Sequence, residues 1–336
     1  MADPVVILGG GGFGAGELAR LLTAHDGVER PVLVSRSHVG SSVAAVHPHL
    51  EAAYPDARFV SRVDWSAYVH NRRTIVFSAM RAGELAAVYA ELTAAWDAAG
   101  IGDRILLIDL SADFRLDEER GFVYGLSEWM RESLAGATRI ANPGCFATAL
   151  ALGLIPLARE LQPRDVSAVA LTGSTGAGVI PGSRTHHPLR AHNCVPYHPF
   201  AHRHIGEVNR LLALQASPLD WSFIPYAAPW VRGISLTIEA RFDKAPDLER
   251  LADVFRKSYA GSPFVRWTET LPELTWVVGN NRCLIGGSCW GQRAALFVVL
   301  DNLVKGMAGQ AIQNMNLASG WPEDRGLGHW IGPYPV

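Results

Sequence analysis

Short apolar runs alternate with helical segments over the first 140 or so residues. Strands are predicted from β-branched, apolar runs at "PVVIL", "RPVLVSRS", "RTIVFSA" and "DRILLIDLSADF". Helices are predicted between them at "GELARLLTAH" and "GELAAVYAELTAAWDAAG", the second ending at Gly100. Apolar strands that alternate with helices predict an α/β domain, in which helices cover both faces of a parallel sheet.

The pattern changes after Cys145. A helix is predicted at "FATALALGLIPLARELQ", with a bend at Pro156, and a strand at "VSAVALTG". Residues 173–203 predict a long loop, which in a compact domain is usually functional. Further strands are predicted at "DWSFIPYAAPW", "GISLTIEARF", "ELTWVVG" and "RAALFVVLDN", with one helix at "DLERLADVFRKSYAG". Many strands with few helices predict an α+β domain with a mixed, mostly antiparallel sheet.

The chain is long enough for two hydrophobic cores, with 336 residues of which 49% are hydrophobic. A last helix, "LVKGMAGQAIQNMNLASG", is expected to return to the first domain. We therefore predict one domain from residues 1–144 with 303–336, and a second from residues 145–302.

Composition excludes several classes of partner. The formal net charge of -2 provides no basic surface for nucleic acid or anionic lipid. The longest apolar run has 13 residues, whereas a membrane span needs roughly 20. No signal peptide is expected, and the four cysteines form no CxxC pair or disulfide framework. A cytoplasmic location with reduced thiols is expected.

A glycine cluster, "GGGGFGAGE", follows the first predicted strand and opens the first helix. It contains G-x-G-x-x-G at Gly9, Gly11 and Gly14, or G-x-x-G-x-x-A at Gly9, Gly12 and Ala15. Either pattern lets the backbone approach a pyrophosphate at a helix N-terminus. A dinucleotide site is predicted, and an ordinary tight turn is the alternative.

The segment after the second predicted strand indicates whether the dinucleotide is NAD or NADP. NAD sites usually place an acidic residue there for the ribose 2′-hydroxyl. This chain has Ser35, Arg36 and Ser37 instead. An arginine between two hydroxyls suits a 2′-phosphate, so NADP is predicted, with a plain polar turn as the alternative.

Cys145 follows a Pro-Gly turn in "IANPGCFATALALG". A single unpaired cysteine is commonly a small buried apolar residue. At a helix start, however, the helix dipole favours the thiolate, which is the form that attacks acyl groups. Both interpretations stay open on this stretch alone.

Histidines are concentrated in the predicted long loop. Zinc binding with Cys194 is one interpretation, but no paired ligand spacing or acidic residue supports it, so no metal is expected. Most of these side chains are expected in solvent, and one is a candidate general base. The six histidines are His186, His187, His192, His198, His202 and His204.

Five segments occur in order along the chain: "LIDLSADFRL", "IANPGCFATA", "STGAG", "HRHIGEV" and "DNLVKGMAGQAIQNMNL". Together they resemble the N-acetyl-gamma-glutamyl-phosphate reductase family, which includes the amino-adipyl phosphate reductase of lysine biosynthesis. The resemblance covers Gly9 to about Gly326. It implies a Rossmann-type NADP-binding domain, a catalytic and dimerisation domain, and NADPH-dependent reduction of an acyl phosphate through a cysteine thioester.

The resemblance also implies roles for individual residues. Cys145 would be the nucleophile and His204 the acid/base residue. The implied cofactor-binding residues are Gly9, Gly11, Gly12, Phe13, Gly14, Ser35, Arg36, Ser37 and Asn302. The implied substrate-binding residues are Ser111, Arg115, Asn142, Ser174, Gly176, Arg203 and Glu207. Glu207 could either orient the imidazole or bind a substrate amine.

The loop after "STGAG" departs from the usual family pattern and carries Arg184 and Arg190. We expect this loop to contact the acyl group on the substrate nitrogen. Arg190 in particular would suit a carboxylate there, as in a succinyl or carrier-protein-linked substrate. The N-acyl group and the choice between glutamyl and aminoadipyl chains stay open.

Two other functions compete with this one. An aspartate-semialdehyde dehydrogenase would share the fold and the cysteine chemistry, but "SADFR" and "HRHIGEV" argue against it. A catalytically idle NADP-binding regulatory protein would not need Cys145 and His204 together. The family context further implies a homo-oligomer, either a dimer or a tetramer.

Overall fold

A computed structural model describes residues 2–70, 73–117, 119–182 and 185–328. The chain forms two compact units that join at Pro143–Gly144 and again at Gly306–Met307. Within the part of the chain described, no helix is both long and apolar enough to cross a membrane.

The first unit contains a six-stranded sheet in which every neighbouring pair is parallel. Its strand order is β2-β1-β3-β4-β6-β5. The bounds are β1 Val5–Leu8, β2 Val32–Val34, β3 Thr74–Ser78, β4 Ile105–Asp109, β5 Val123–Tyr124 and β6 Arg139–Ala141. Strands β1, β3 and β4 are buried along their whole length, as expected for a sheet covered on both faces.

The second unit contains a seven-stranded mixed sheet of order β11-β12-β13-β10-β7-β9-β8. Two neighbouring pairs are parallel, β7 with β9 and β11 with β12, and the other four are antiparallel. The bounds are β7 Asp165–Thr172, β8 Val195–Pro196, β9 Trp221–Ala227, β10 Ile234–Arg241, β11 Val265–Trp267, β12 Cys283–Trp290 and β13 Arg293–Leu300.

The helices alternate with the strands in the first unit and are fewer in the second. Their bounds are α1 Phe13–Leu22, α2 Val43–Val46, α3 Glu84–Ala98, α4 Arg131–Leu134, α5 Cys145–Pro156, α6 His187–Arg190, α7 His204–Gln215, α8 Leu248–Ser258 and α9 Gly309–Ser319. The predicted fold class, a Rossmann-type domain with an α+β domain, is confirmed.

Helix α5 forms the centre of the second unit. Every residue after Cys145 in this helix is buried, because the helix is apolar on all sides and packs against α7, β10 and β13. The helix ends at Pro156, and the next five residues form a π-helical turn, Leu157–Leu161. Cys145 is therefore the first residue of a helix whose position is fixed by core packing.

Two expectations about local structure are wrong. The segment "ELTWVVG" is not a strand, because Leu274–Trp276 forms a 3-10 turn whose side chains pack on Val277 and Leu284. This tertiary contact overrides strand propensity. Residues 173–203 are not a single irregular loop, because they contain a 3-10 turn at Ser174–Ala177 and the elements α6 and β8.

Candidate active site

The glycine loop follows β1 at the carboxyl edge of the parallel sheet, where open α/β sheets bind their ligands. Gly9 adopts a φ of 78°, and a Cβ at that position would lie 2.7 Å from the Met80 nitrogen. Only glycine satisfies both conditions. The sharp turn that the motif predicts is therefore present.

Gly12 is the N-cap of α1, and a Cβ there would meet nothing within 4 Å. The space beside the first helical amides is open, and the first turn of the helix carries no acidic residue. Gly14 is closely covered, since its Cβ would lie 2.6 Å from Met307 Sδ. Open space beside the N-terminus of a ten-residue helix fits a bound pyrophosphate.

His47 supports the glycine loop from its buried side. Its Nε2 lies 2.7 Å from the Gly10 carbonyl oxygen, which can only accept, so Nε2 donates this hydrogen bond. Burial lowers the pKa of His47, which keeps the ring uncharged near neutral pH. The backbone of the loop is thus held by a neutral side chain.

Ser35, Arg36 and Ser37 follow β2 at the same carboxyl edge of the sheet. The two hydroxyl oxygens lie 3.3 Å apart, and the Arg36 side chain is exposed. No acidic side chain lies in this segment, so an anionic group would meet two hydroxyls and a guanidinium there.

The other first-unit candidates hold one another in place. Arg115 is buried and donates from Nε to the Asn142 carbonyl oxygen, at 2.9 Å. Asn142 donates to the Met307 carbonyl oxygen and accepts from Asn314 Nδ2. Ser111 donates to the buried Asp109 carboxylate, at 2.8 Å. Arg115 and Asn142 are therefore parts of a buried hydrogen-bond network at the ends of β4 and β6.

In the second unit, Cys145 begins α5 and is partly exposed. The amide of Gly144, the preceding residue, donates to Glu207 Oε2 at 3.0 Å. Glu207 lies on α7, and its side chain is buried. A carboxylate of one helix thus binds the backbone just before the start of the other.

His204 and Glu207 lie one turn apart on α7 and are each 3% exposed. The distance from Glu207 Oε1 to His204 Nε2 is 3.8 Å. The imidazole packs directly against the Gly144 Cα, because a Cβ there would overlap the ring. Gly144 therefore brings the histidine, the carboxylate and the cysteine backbone together.

Gly306 covers Cys145 on another side. A Cβ on Gly306 would lie 2.8 Å from the Cys145 Cβ, and its amide donates to the Asp301 carbonyl oxygen. Asp301 is fully buried and also accepts hydrogen bonds from the Leu303 and Val304 amides. The Cys145 Cα and Cβ thus pack against the Gly306 backbone, which leaves no room for a side chain there.

A pocket of about 430 Å³ opens beside Cys145 within the second unit. Its charged lining comes from Arg190 and Arg203, which suits an anionic ligand. His202, His204 and Tyr197 also line it, and burial raises the pKa of Tyr197. The remaining lining residues are Phe146, Thr172, Gly173, Gly176, Ala177, Thr185, His198, Ala201 and Ala227.

Arg190 is buried, and two of its three guanidinium nitrogens donate to backbone carbonyls. Nε donates to the Ala228 oxygen at 2.7 Å, and Nη2 donates to the Thr172 oxygen at 3.1 Å. Ala228 directly follows β9, and Thr172 is the last residue of β7. The Arg190 side chain therefore links α6 to the ends of these two strands. Arg184 lies outside the described residues.

His202 is an uncharged neighbour of His204. Its Nδ1 accepts a hydrogen bond from the His204 amide at 3.3 Å, and the ring centroids are 4.5 Å apart. Burial, together with Arg203 and His198, lowers the pKa of His202 to about 4. His186, His187, His192 and His198 are exposed. Over the described residues, no group of three or more His, Cys, Asp or Glu side chains could hold a metal.

Three remaining candidates lie in the second unit. Gly176 lines the pocket, and the Ser174 amide donates to the Trp230 carbonyl oxygen. Asn302 is buried, accepts from the Gly233 amide at 2.6 Å and donates to Thr175 Oγ1 at 3.0 Å. The Asn302 side chain thus links Thr175 of the "STGAG" turn to the Gly233 backbone.

Family models match both units. The model described as semialdehyde dehydrogenase, NAD binding domain, matches residues 4–137. The model described as semialdehyde dehydrogenase, dimerisation domain, matches residues 145–302. The predicted dinucleotide-binding domain is confirmed by the first match.

Curated relatives are similar over nearly the whole chain. The N-acetyl-gamma-glutamyl-phosphate reductase of Phocaeicola vulgatus is 35% identical, with 96% of each chain covered. The one of Methanocaldococcus jannaschii is 36% identical, covering 96% of this chain and 97% of its own. The chain belongs to the N-acetyl-gamma-glutamyl-phosphate reductase family. The resemblance read from the five segments is confirmed.

Solved structures similar to this chain have low sequence identity to it, so they show its fold alone. Aspartate semialdehyde dehydrogenase II from Vibrio cholerae has a TM-score of 0.72 at 18% identity, covering 95% of this chain and 99% of its own. A Candida albicans aspartate semialdehyde dehydrogenase with NADP has a TM-score of 0.69 at 16% identity, with the same coverage. These two structures therefore share the fold of this chain.

Sequence reasoning missed several residues of this reductase site. Tyr197 lines the pocket, Gly144 packs against His204, and Gly306 packs against Cys145. His202 lines the pocket too, and the sequence had marked it only as one of six histidines. The sequence could have indicated only one of the two glycines. Gly144 belongs to the "NPGC" turn, whereas Gly306 looks like an ordinary helical residue. Their role depends on contacts between segments that are distant along the chain.

Proposed function

We propose that this reductase converts an N-acyl-γ-glutamyl phosphate to the semialdehyde and phosphate through a thioester on Cys145. The observation that carries the proposal is the placement of Glu207, which binds the Gly144 amide and lies beside His204. One buried carboxylate thereby orients the backbone before the thiol and the imidazole next to it. Covalent catalysis uses the same arrangement, in which a nucleophile (here Cys145) lies near a base (His204) that is oriented by a third group (Glu207).

Thioester formation follows from the position of Cys145. The thiolate is favoured at the positive end of α5 and attacks the acyl carbonyl. The S–C bond forms, the C–O bond to phosphate breaks, and phosphate leaves with the bonding pair. Helical amides beyond Gly144 lie at the start of α5 and suit the oxyanion of each tetrahedral intermediate.

His204 is the proposed acid/base residue. It takes the thiol proton before attack and returns a proton when the thioester carbon becomes an aldehyde and the thiolate departs. Glu207 stabilises the imidazolium that forms in between, because its carboxylate lies 3.8 Å from Nε2. Arg203 and Arg190 make the pocket attractive to the anionic acyl phosphate.

The first unit would hold NADPH, which supplies the hydride for reduction of the thioester when it is bound. Gly9, Gly11, Gly12, Phe13 and Gly14 would surround its pyrophosphate, since the open space at Gly12 fits that group. Ser35, Arg36 and Ser37 would bind its 2′-phosphate.

Arg36→Ala is expected to weaken NADPH binding by about tenfold or more while changing NADH binding less than about twofold, because one charge-assisted hydrogen bond to phosphate is lost. Titration of reduced-cofactor fluorescence measures both dissociation constants. Arg131→Ala, which removes another exposed arginine of this unit, one on α4, is the control. Equal weakening of both cofactors by Arg36→Ala would contradict the assignment.

The reaction is tested in the oxidative direction with NADP⁺ and phosphate. N-acetylglutamate, N-succinylglutamate and N-acetylaminoadipate semialdehydes compare the acyl group and the chain length. We propose that a glutamyl semialdehyde is oxidised, which places the enzyme in arginine biosynthesis. Turnover of the aminoadipyl compound alone would place it in lysine biosynthesis, and turnover of none would contradict the reaction.

Arg190→Ala is expected to lower kcat/KM by about tenfold for every N-acyl substrate, because a loosened α6 distorts the pocket wall. If Arg190 instead binds a carboxylate on the acyl group, only the succinyl or carrier-linked substrate is affected. The ratio of kcat/KM between acetyl and succinyl substrates separates the two roles. Unchanged kinetics on all substrates would exclude both.

Two broader properties complete the proposal. The second unit matches a dimerisation domain, which supports a homo-oligomer, dimer or tetramer. A nucleophilic thiol works only when it is reduced, which supports a cytoplasmic location. The substrate is a small molecule, free or attached to a carrier protein.

A further inference from the structure

His38 lies against the glycine loop of the first unit. A Cβ placed on Gly11 would lie 2.7 Å from His38 Cδ2 and 3.0 Å from His38 Nε2. The Ser35 hydroxyl lies on the same side, at 3.8 Å from that Cβ position. The imidazole therefore stands between the loop proposed for the pyrophosphate and the segment proposed for the 2′-phosphate.

The ring is held in this position by its surroundings. Its centroid is 5.8 Å from the Phe59 ring, and the His38 carbonyl oxygen accepts a hydrogen bond from the Ser41 amide at 3.0 Å. The side chain is half-buried, so part of it remains accessible.

The charges around His38 favour an anion. Arg36 lies two residues earlier, and residues 35–50 contain no acidic residue. The Glu84 carboxylate, which interacts electrostatically with Arg36, accepts hydrogen bonds from Arg81. Arg58 approaches this segment and donates to the Gly40 carbonyl oxygen at 2.8 Å. The nearby buried histidine, His47, is kept uncharged because burial lowers its pKa. A phosphate here would meet a guanidinium, two hydroxyls and an imidazole N–H.

We propose that His38 is a further cofactor-binding residue, which donates a hydrogen bond to the phosphomonoester on the adenosine ribose. The inference rests on the proposed use of NADPH. It assigns to His38 a share of the discrimination between NADPH and NADH, because NADH offers this donor a neutral hydroxyl in place of the charged phosphomonoester.

The test compares cofactor binding without catalysis. Wild type, His38→Ala and His38→Gln are titrated with NADPH and with NADH, using reduced-nicotinamide fluorescence. His38→Ala is expected to raise the NADPH dissociation constant about tenfold and the NADH constant less than about twofold. His38→Gln keeps an N–H donor and is expected to retain part of the NADPH affinity. His70→Ala, an exposed histidine of the same unit, is the control and should leave both constants unchanged.

Three outcomes overturn the inference. They are an unchanged NADPH constant in His38→Ala, an equal rise for both cofactors, or a Gln variant no better than Ala. Thermal unfolding of each variant shows whether the unit remains folded. If His38→Gln loses affinity for NADH as well as for NADPH, His38 has a structural role. A wild-type enzyme that binds NADH as tightly as NADPH would instead contradict the proposed cofactor itself.

Discussion

Cys145→Ser is expected to reduce turnover by at least about 10³-fold, with NADPH binding unchanged. A serine hydroxyl is far less ionised than a thiol at the start of α5, so acyl transfer fails at its first step. The substitution is slightly smaller than cysteine and leaves the packing under Gly306 intact. The measurement is kcat in the oxidative direction, together with a cofactor titration.

Thiol reactivity provides an independent readout of the same claim. Cys194 is exposed, so labelling is compared in a Cys194→Ser background, which itself should keep full activity. Iodoacetamide near neutral pH should then modify Cys145 first, in step with loss of activity. Cys283 is buried, and burial raises the pKa of the Cys289 thiol, so both should react slowly. Equal, slow labelling of the three remaining cysteines would favour an idle cofactor-binding protein.

Gly144→Ala is expected to lower kcat by about 10²-fold while the protein remains folded, because the new methyl group displaces His204. The Gly144 backbone, at φ −69° and ψ 147°, accepts alanine without strain. The collision is with the imidazole, whose Cδ2 would lie 2.7 Å from the added Cβ. The loss should therefore fall on kcat.

The matched control is Gly261→Ala, also in the second unit. An added Cβ there meets nothing within 4 Å, so its kinetics and melting temperature should equal those of the wild type. If Gly144→Ala were as active as Gly261→Ala, the imidazole would not act from its position beside Gly144.

Much of the fold could be predicted from local sequence patterns. The parallel sheet could be predicted because buried strands such as β1 and β3 are apolar throughout. The glycine loop could be placed because a strand, a turn requiring positive φ at Gly9 and a helix follow one another directly. The start of α5 at Cys145 could be placed because a Pro-Gly turn precedes an apolar run.

The rest depends on contacts between distant segments. The link between Glu207 and Gly144 spans 63 residues and has no local signal. The backbone bonds of Arg190 could not be anticipated, because a charged side chain in a polar loop looks like a substrate ligand until its partners are known. The strand predicted at "ELTWVVG" failed for the same reason, since packing on Val277 decided its conformation.

A single-turnover experiment without phosphate tests the thioester most directly. The semialdehyde substrate and NADP⁺ are mixed with enzyme, and the acylated peptide is identified by mass spectrometry after acid quenching. The account predicts a burst of about one NADPH per active site, no further turnover, and an acyl adduct on the peptide that contains Cys145. Continued turnover without phosphate, or a burst that persists in Cys145→Ser, would contradict it.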